Sequence, residues 1–393
     1  MVSIARKNLF EDLPRFMVAQ AGIMFAVGLV TIQTGLLDGF TKSASLLVDN
    51  SKADIWVASK DMRYLELTIP LPYERLAQAQ RVEGVDRAEA LITRGSLWRK
   101  NSSAQIDPIR LIGFDPDGQL FTPWRINQGN LSDLKQPYTV MIDRSNLKAL
   151  DISGIGDTAE ISSVKVTVKG ITQGIHSIVS SPFVFSSLPN ANYYFVSQAM
   201  PTGTTQPTTP PALTAKDQIT YILVRAEPGQ NLTDLKSRLE AALPDTRAFT
   251  LEEMAQLNQT YWRRSTGVGF ILGMGAAVGV VVGMVVVGQI LYSSVSDHLQ
   301  EFGTLKAMGS SNWYIYRVII EQALWMAVLG YLPGMGLCLG LSAWTMQTRA
   351  IAILITPSTA IAVFGMTIVM CTGAAAFAIR KVTHLDPAMV FKS

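Results

Sequence analysis

The residues best suited to specific chemistry lie between positions 293 and 321, in the run SSVSDHLQEFGTLKAMGSSNWYIYRVIIE. Apolar side chains recur there at spacings of three and four, the period of one helix face, and they are Val295, Leu299, Phe302, Leu305 and Met308. Polar and charged side chains occupy the other face, and they are Asp297, His298, Gln300, Glu301 and Lys306. The pattern predicts a short amphipathic helix. Such a helix either rests in a membrane interface or fills a groove on a partner protein.

Two long apolar runs flank this helix and must position it. Gly309 follows the apolar ridge and suits a left-handed helix cap, and Ser310 or Ser311 can cap the helix that follows. The runs at 267–292 and 318–346 carry no charge near their centres, and each is long enough to cross the ~30 Å hydrocarbon core of a bilayer. The sequence therefore places residues 293–317 in a cytoplasmic loop between two membrane spans.

The composition is that of a chain lying partly in a membrane. Of its 393 residues, 48% are hydrophobic and 16% are charged, an apolar bias uncommon in soluble proteins of this length. The net charge of +3 gives no argument for nucleic-acid binding. Cys338 and Cys371 both fall within apolar runs, which excludes a framework of disulfides in an exported domain.

Four apolar runs predict four transmembrane helices with both termini in the cytoplasm. Basic residues precede the first run and follow the last, at Arg6, Lys7, Arg15, Arg380 and Lys381, as expected of cytoplasmic ends. A cleaved signal peptide is the alternative for the first run, which is long for a signal core and lacks a clear cleavage site. The predicted segments are a cytoplasmic amphipathic helix at 1–15, transmembrane helices at 16–40, 267–292, 318–346 and 358–379, a periplasmic domain at 41–264, a short outer loop at 347–357 and a cytoplasmic tail at 380–393.

The periplasmic segment has the composition of a soluble α+β domain. Alternating or β-branched runs predict strands at 54–58, 88–92, 109–114, 139–143, 159–161, 165–171 and 219–225. Helical spacing predicts helices at 72–82 and 231–243, and a Pro- and Thr-rich stretch at 200–215 predicts an extended linker. Thr250 and Glu253 form a capping box before a run without an obvious breaker. We therefore expect one helix of ~60 Å over 251–292, with residues 251–266 as a stalk outside the membrane.

Glycines in the second predicted span lie on one helix face. Gly275, Gly279 and Gly283 give two overlapping GxxxG patterns, which allow helix backbones to approach closely in lipid. Two readings remain open, packing within one subunit or contact across a dimer. The third predicted span carries a further GxxxG pair, Gly336 and Gly340.

Catalytic, cofactor-binding and metal-binding constellations are not predicted on this chain. The sequence contains no G-x-x-x-x-G-K-[ST] phosphate loop and no G-x-S-x-G elbow. The histidines at 176, 298 and 384 lack the spacing of metal ligands. We expect no enzyme activity and no ATP bound by a Walker motif.

The run from Glu301 to Gly309, EFGTLKAMG, resembles the coupling helix of ABC-transporter permeases of the MacB and FtsX type. In that family the coupling helix docks on the ATPase subunit. The resemblance implies the same role for the matching residues of this chain, which include Gly303. The opening ARKNL at 5–9 and the tail HLDPAMV at 384–390 resemble the two ends of such permeases. The resemblance implies an α-helical membrane protein with four transmembrane helices plus an α+β extracytoplasmic domain. That domain would hold MacB-like porter (about 41–135 and 215–250) and sabre (about 136–200) subdomains.

The length, the phrase ADIWVA at 53–58 and the Pro- and Thr-rich loop are most similar to the DevC-type permeases of cyanobacteria. That resemblance implies a homodimer in the inner membrane. Its partners would be a DevA-like ABC ATPase that binds ATP and Mg, a DevB-like membrane-fusion adaptor, and indirectly a TolC-like outer-membrane channel. Movement of the periplasmic domains would drive efflux of a glycolipid, peptide or other amphiphile. The alternatives are a LolC/LolE-like lipoprotein-release permease and an FtsX-like regulator of cell-wall hydrolases.

Overall fold

The structure is a computed structural model, and it describes residues 13–100, 105–175, 177–199, 205–297, 304, 311–349 and 353–383. The chain divides into two compact units. One comprises Met1–Gly39 with Thr266–Ser393, and the other comprises Phe40–Ser265. The helices are α1 (Leu13–Ala44), α2 (Leu46–Asp49), α3 (Glu74–Ala79), α4 (Leu188–Val196), α5 (Leu232–Ala242), α6 (Leu251–Ser265), α7 (Val268–Asp297), α8 (Asn312–Arg349) and α9 (Pro357–Thr383).

The first unit is a bundle of the long apolar helices α1, α7, α8 and α9. Each of the four is long and apolar enough to cross a membrane. The last helix packs on both α7 and α8, and the shared core includes Ile23, Leu291 and Met326. Large apolar side chains such as Phe270 and Ile361 point away from this core and are exposed. An apolar outer surface of this kind is what a helix bundle presents to lipid.

The second unit is built on a mixed β-sheet. Its strands are β1 (Ile55–Ser59), β2 (Leu71–Pro72), β3 (Val85–Arg99), β4 (Ile106–Phe114), β5 (Ile126–Gln128), β6 (Thr139–Asp143), β7 (Thr158–Ile161), β8 (Val164–Thr172), β9 (Phe183–Ser187), β10 (Gln218–Ile219), β11 (Tyr221–Ala226) and β12 (Thr246–Thr250). The main sheet runs in the order β12-β1-β11-β3-β4-β9-β6-β8-β5, with β7 beside β3 and β8. A separate pair joins β10 to β2.

One half of the main sheet has a ferredoxin-like arrangement. Its strands stand in the order β12-β1-β11-β3, and every neighbouring pair is antiparallel. Helix α3 connects β1 to β3 and α5 connects β11 to β12, the connection pattern of two split βαβ units. Because the strands that pair in space are distant in sequence, this half is assembled from two separated stretches of chain.

The other half of the sheet comes from the intervening chain. Strand β9 lies parallel to β4 and antiparallel to β6, while β6 lies parallel to β8. The long hairpin of β3 and β4 joins the two halves, with Leu97 opposite Pro108 near its far end. The buried carboxylate of Asp143 accepts hydrogen bonds from Ser145, Thr172 and the backbone of Ile175, which fastens the end of β6 to the chain that follows β8.

The expected single helix over 251–292 is wrong. Helix α6 ends at Ser265 and α7 begins at Val268. Gly267 lies between them with a φ of +71°, a left-handed conformation that ends a helix and favours glycine. Helix α7 also extends beyond the predicted end at 292, since the structure follows it to Asp297.

In the second unit, the predicted strands and helices lie where the structure has such elements, but several differ from them in length. The predicted strand at 88–92 is the centre of the much longer β3, and the expected helix at 72–82 is the shorter α3. The helix predicted at 231–243 is α5, and the Asn231 side chain caps it by accepting from the Thr233 amide at 2.9 Å. The sequence analysis missed β9, α4 and β12.

Candidate coupling site

The predicted coupling helix falls largely outside the described residues. This holds for Leu299, Glu301, Phe302, Gly303, Leu305, Lys306, Met308 and Gly309. Asp297 is described as the last residue of α7, and α8 resumes at Asn312. The structure therefore describes how the chain enters and leaves this segment.

Asp297 forms an ion pair with Arg15, near the start of α1. Both side chains are about half exposed, so the pair adds little stability by itself. The ion pair is informative because it places the beginning of α1 next to the end of α7. The segment after Asp297 consequently starts beside the beginning of α1.

Buried side chains fix the helices on both sides of the segment. Val295 is buried in the bundle with Leu291 at the end of α7, and Ile315 and Ile319 are buried at the beginning of α8. Val295 thus belongs to α7 and to the bundle core, which corrects its predicted place on the apolar face of the short amphipathic helix. The physical reason is that α7 continues through it, and the same spacing of apolar residues serves an internal face.

Gly275, Gly279 and Gly283 all face other helices of the same chain. A Cβ added at Gly275 would lie 2.7 Å from the Gln33 side chain of α1, and one at Gly279 would lie 3.0 Å from Leu29. At Gly283 the added atom would meet Met370 at 2.5 Å and Ala26 at 2.6 Å. The glycines therefore allow α7 to approach α1 and α9 closely. Contact across a homodimer stays a prediction.

The third span uses a different glycine pair from the one the sequence suggested. Among the residues that the structure describes, Gly336 and Gly340 have no atom within 4 Å of an added Cβ. Gly330 and Gly334, which have the same spacing, lie against α1, where added Cβ atoms would be 2.6 Å from Ile23 and 3.2 Å from Met24. Both pairs look alike in sequence, and only the packing of α1 distinguishes them.

Three glutamine side chains place buried polar atoms inside the bundle. The sequence analysis did not identify them because it considered only charged residues within the spans. Buried oxygen or nitrogen atoms of Gln20, Gln33 and Gln322 have no hydrogen-bond partner among the described residues. Gln20 lies near the Gly330 approach and Gln33 lies at Gly275. Polar groups in this setting are costly unless satisfied, and a search for uncharged polar residues within the spans would have found them.

The predicted capping box at the start of α6 is confirmed. The Glu253 amide donates to the Thr250 hydroxyl at 3.2 Å, and the Thr250 amide donates to the Glu253 carboxylate at 2.9 Å. A hydrogen bond from Lys236 of α5 is the main cause that lowers the pKa of Glu253 below its usual value. The cap therefore also ties α6 to the ferredoxin-like half of the sheet.

Comparison with known proteins gives two family matches in successive parts of the chain. A family model described as MacB-like periplasmic core domain matches residues 16–242, more than half of the chain. A second, described as FtsX-like permease C-terminal, matches residues 273–387. The second match includes the segment between α7 and α8.

Individual proteins show the same similarity. An uncharacterized ABC transporter permease of Mycobacterium tuberculosis is 23% identical over 375 residues, which cover 95% of this chain and 94% of that protein. The macrolide export ATP-binding/permease protein MacB of Marinobacter nauticus is 30% identical over 172 residues, which cover 39% of this chain and 25% of that protein. The solved periplasmic region of MacB from Actinobacillus actinomycetemcomitans aligns at 12% identity and a TM-score of 0.35, over 52% of this chain and 92% of that one.

Proposed function

The chain belongs to the MacB/FtsX superfamily of ABC-transporter permeases, and we propose that it couples ATP hydrolysis on a separate ATPase subunit to movement of its own periplasmic unit. In this proposal the movement drives efflux of a glycolipid, peptide or other amphiphile through an adaptor and an outer-membrane channel. The permease would act as a homodimer of the type VII, MacB-like kind.

The observation that carries the proposal is the run from Glu301 to Gly309. It combines an apolar ridge with flanking charges, between two helices that are long enough to span a membrane. The FtsX-like family match extends across it. The ion pair of Arg15 with Asp297 holds the start of the segment beside α1, so a force applied to the segment would be transmitted to two helices.

A separate ATPase is supported by the sequence itself. The chain contains no Walker phosphate loop. The Marinobacter relative is an ATP-binding/permease protein, and this chain aligns with only 25% of its length. The Mycobacterium relative is named as a permease and aligns over 94% of its length.

Charge reversal and truncation of the ridge test the proposal. Affinity-tagged Glu301→Lys and Phe302→Ala chains are expected to lose the ABC ATPase that co-purifies with the wild-type chain from its native host. The reason is that one change repels the partner and the other empties its groove. Glu252→Lys, on the exposed surface of α6, and Phe270→Ala, on the exposed surface of α7, serve as matched controls.

Retention of the ATPase by both ridge variants would contradict the proposal. In that outcome the segment lies in the membrane interface instead, where a basic residue at position 301 is favourable beside anionic lipid. Membrane insertion of every variant is measured in parallel, so that loss of the partner is separated from loss of the permease.

A further inference from the structure

The second unit, Phe40–Ser265, is the periplasmic unit of the proposal. One of its ends carries both chain connections to the apolar helices. Helix α1 passes into this unit at Phe40 and ends at Ala44, and α6 ends at Ser265. Both connections to the apolar helices therefore leave from residues close to these positions. If those helices span the membrane, as proposed above, this end of the unit lies next to the bilayer.

Aromatic rings cluster at this end. Tyr64 stacks on Tyr261 with ring centroids 4.0 Å apart and planes 11° apart. Trp262 meets Tyr64 edge to face at 5.9 Å and Phe40 at 5.6 Å. Tyrosine and tryptophan rings concentrate at membrane–water interfaces because one side of the ring is apolar and the other is polar.

The loop that carries Tyr64 is held firmly in place. The Arg63 amide donates to the Leu67 carbonyl at 3.0 Å, which closes a tight turn. The Leu65 amide donates to the buried Asn258 side chain of α6 at 2.6 Å, and Glu66 pairs with Arg110 of β4 at 2.6 Å. The exposed side chains of this loop are therefore presented by a fixed backbone.

Aliphatic side chains on this fixed backbone face outward. Leu67 and Ile69 are each 54% exposed. Ile178, on a neighbouring loop, is 37% exposed, and its amide donates to the Ser43 hydroxyl at 2.6 Å, one residue before α1 ends. Ser43, Leu65, Ser177 and Trp262 line one small cavity, so the two loops are neighbours. Exposed aliphatics on neighbouring loops at one end of a folded domain favour a surface that is covered in the working protein.

Basic residues adjoin the residues of this end in sequence, with Lys42 next to Ser43, Arg63 next to Tyr64, and Arg263 and Arg264 directly after Trp262. Lys42, Arg63, Arg263 and Arg264 are all exposed. Basic residues near a bilayer attract anionic lipid. The two arginines of α6 conflict with the charge rule for the outer side of a membrane, and contact with anionic headgroups gives them a role.

We propose that Leu67, Ile69 and Ile178 form a membrane-contact rim, which enters the headgroup region of the bilayer while Lys42, Arg63, Arg263 and Arg264 contact anionic lipid phosphates. The proposal rests on the assignment of α1 and α7 as membrane spans and does not depend on transport. A protein partner is disfavoured here because the chain's own connections bring this end to the bilayer. The rim would hold the periplasmic unit against the membrane surface.

Fluorescence quenching by lipid tests the rim in the full chain. A polarity-sensitive dye is attached to Leu67→Cys in a Cys338→Ala/Cys371→Ala background, reconstituted in nanodiscs of phosphatidylcholine with phosphatidylglycerol. Lipids that carry a nitroxide near the top of the acyl chain are expected to quench this dye severalfold more strongly than one on Leu97→Cys. Leu97 is a matched control, since it is 55% exposed on the far hairpin of the same unit.

Equal, weak quenching at 67 and 97 would overturn the rim, and so would shielding of position 67 that requires an added adaptor protein. A dye on Val281→Cys, on the exposed side of α7, reports on the span itself. If lipids that carry a nitroxide deep in the acyl chain fail to quench this dye, both the span assignment and the rim are contradicted. Replacement of Lys42, Arg63, Arg263 and Arg264 by Gln is expected to reduce quenching at 67 to its value in pure phosphatidylcholine, and no reduction would remove the lipid role of the cations.

Discussion

At the scale of single residues, the beginning of α6 concentrates three hydrogen bonds on one residue, Glu253. Glu253 accepts from the Thr250 amide and from Lys236, and its own amide donates to the Thr250 hydroxyl. Side-chain caps satisfy amides that the helix leaves without partners. This cap therefore stabilises the first turn of α6, which directly follows β12.

Thr250→Ala is expected to destabilise the first turn of α6 by about 1 kcal/mol, because one amide loses its acceptor. Hydrogen exchange of the full chain, followed in peptides from 251 to 260, measures this as faster exchange. Thr260→Ala, an exposed position on the same helix, should leave exchange unchanged or slower, since alanine is the better helix former. Equal exchange in both variants would contradict the cap.

The cap should also depend on pH. The pKa of Glu253 is lowered below its usual value in the folded protein, mainly by the hydrogen bond from Lys236. A lowered carboxylate pKa gives stability that is present above the unfolded value and is lost as the pH falls through the folded value. Protection at the start of α6, measured as exchange relative to the intrinsic rate at each pH, should fall as the pH drops through the carboxylate range, and Glu253→Gln should reduce that fall. A Gln variant with the full acid response would assign it to another group.

At the scale of elements, glycine positions determine where helices stop and how closely they pack. Gly267 separates α6 from α7 by its left-handed backbone, while Gly283 and Gly334 let α1 and α9 approach neighbouring helices. The length of the uncharged apolar runs predicted the four spans, because a membrane helix needs a minimum apolar length. It could not identify Gly267 as a helix end, since an isolated glycine is also tolerated within a helix.

The same limit applies to the packing faces. A GxxxG pair shows that a close approach is available and says nothing about which helix uses it. Gly330 with Gly334 meets α1, whereas Gly336 with Gly340 meets nothing among the described residues.

In the sheet, strands β9 and β12 were not predicted because each is short and buried, and their pairing partners are distant in sequence. Most of the predicted coupling helix lies outside the described residues.

Substitution of Gly267 tests the helix break. Gly267→Ala places a Cβ on a residue with a φ of +71°, which costs roughly 1–2 kcal/mol. The expected result is a lower thermal midpoint of the reconstituted chain. Gly273→Ala is the matched control, since it lies inside α7 with no atom near an added Cβ, and it should stabilise slightly. A Gly267→Ala chain as stable as the Gly273→Ala chain would contradict the break.

Substitution of Gly283 tests the intramolecular packing of α7. Gly283→Leu would collide with Met370 and Ala26, and overpacking of this kind costs about 1–3 kcal/mol. Gly336→Leu has open space and should leave the thermal midpoint unchanged. Both are measured in the same detergent, together with the oligomeric state. If Gly283→Leu changed oligomeric state without lowering stability, the glycine face would serve a dimer instead.

At the scale of the whole molecule, the chain passes between an apolar helix bundle and a mixed α/β unit twice, once within the continuous helix α1 and once at the break between α6 and α7. In the proposed mechanism, a partner ATPase moves the segment after Asp297, and the bundle transmits the movement to the periplasmic unit. The chain alone should therefore show no ATP turnover. Turnover by the purified chain would contradict a separate ATPase.

ATP-dependent movement of the periplasmic unit tests the central claim most directly. Spin labels on Leu97→Cys, in the background without Cys338 and Cys371, report the distance between the two periplasmic units of the proposed dimer in nanodiscs. With the co-purified ATPase present, the distance distribution should shift when ATP with vanadate is added, and Phe302→Ala should abolish the shift while the dimer persists. Identical distributions with and without nucleotide in the assembled wild-type complex would contradict the account.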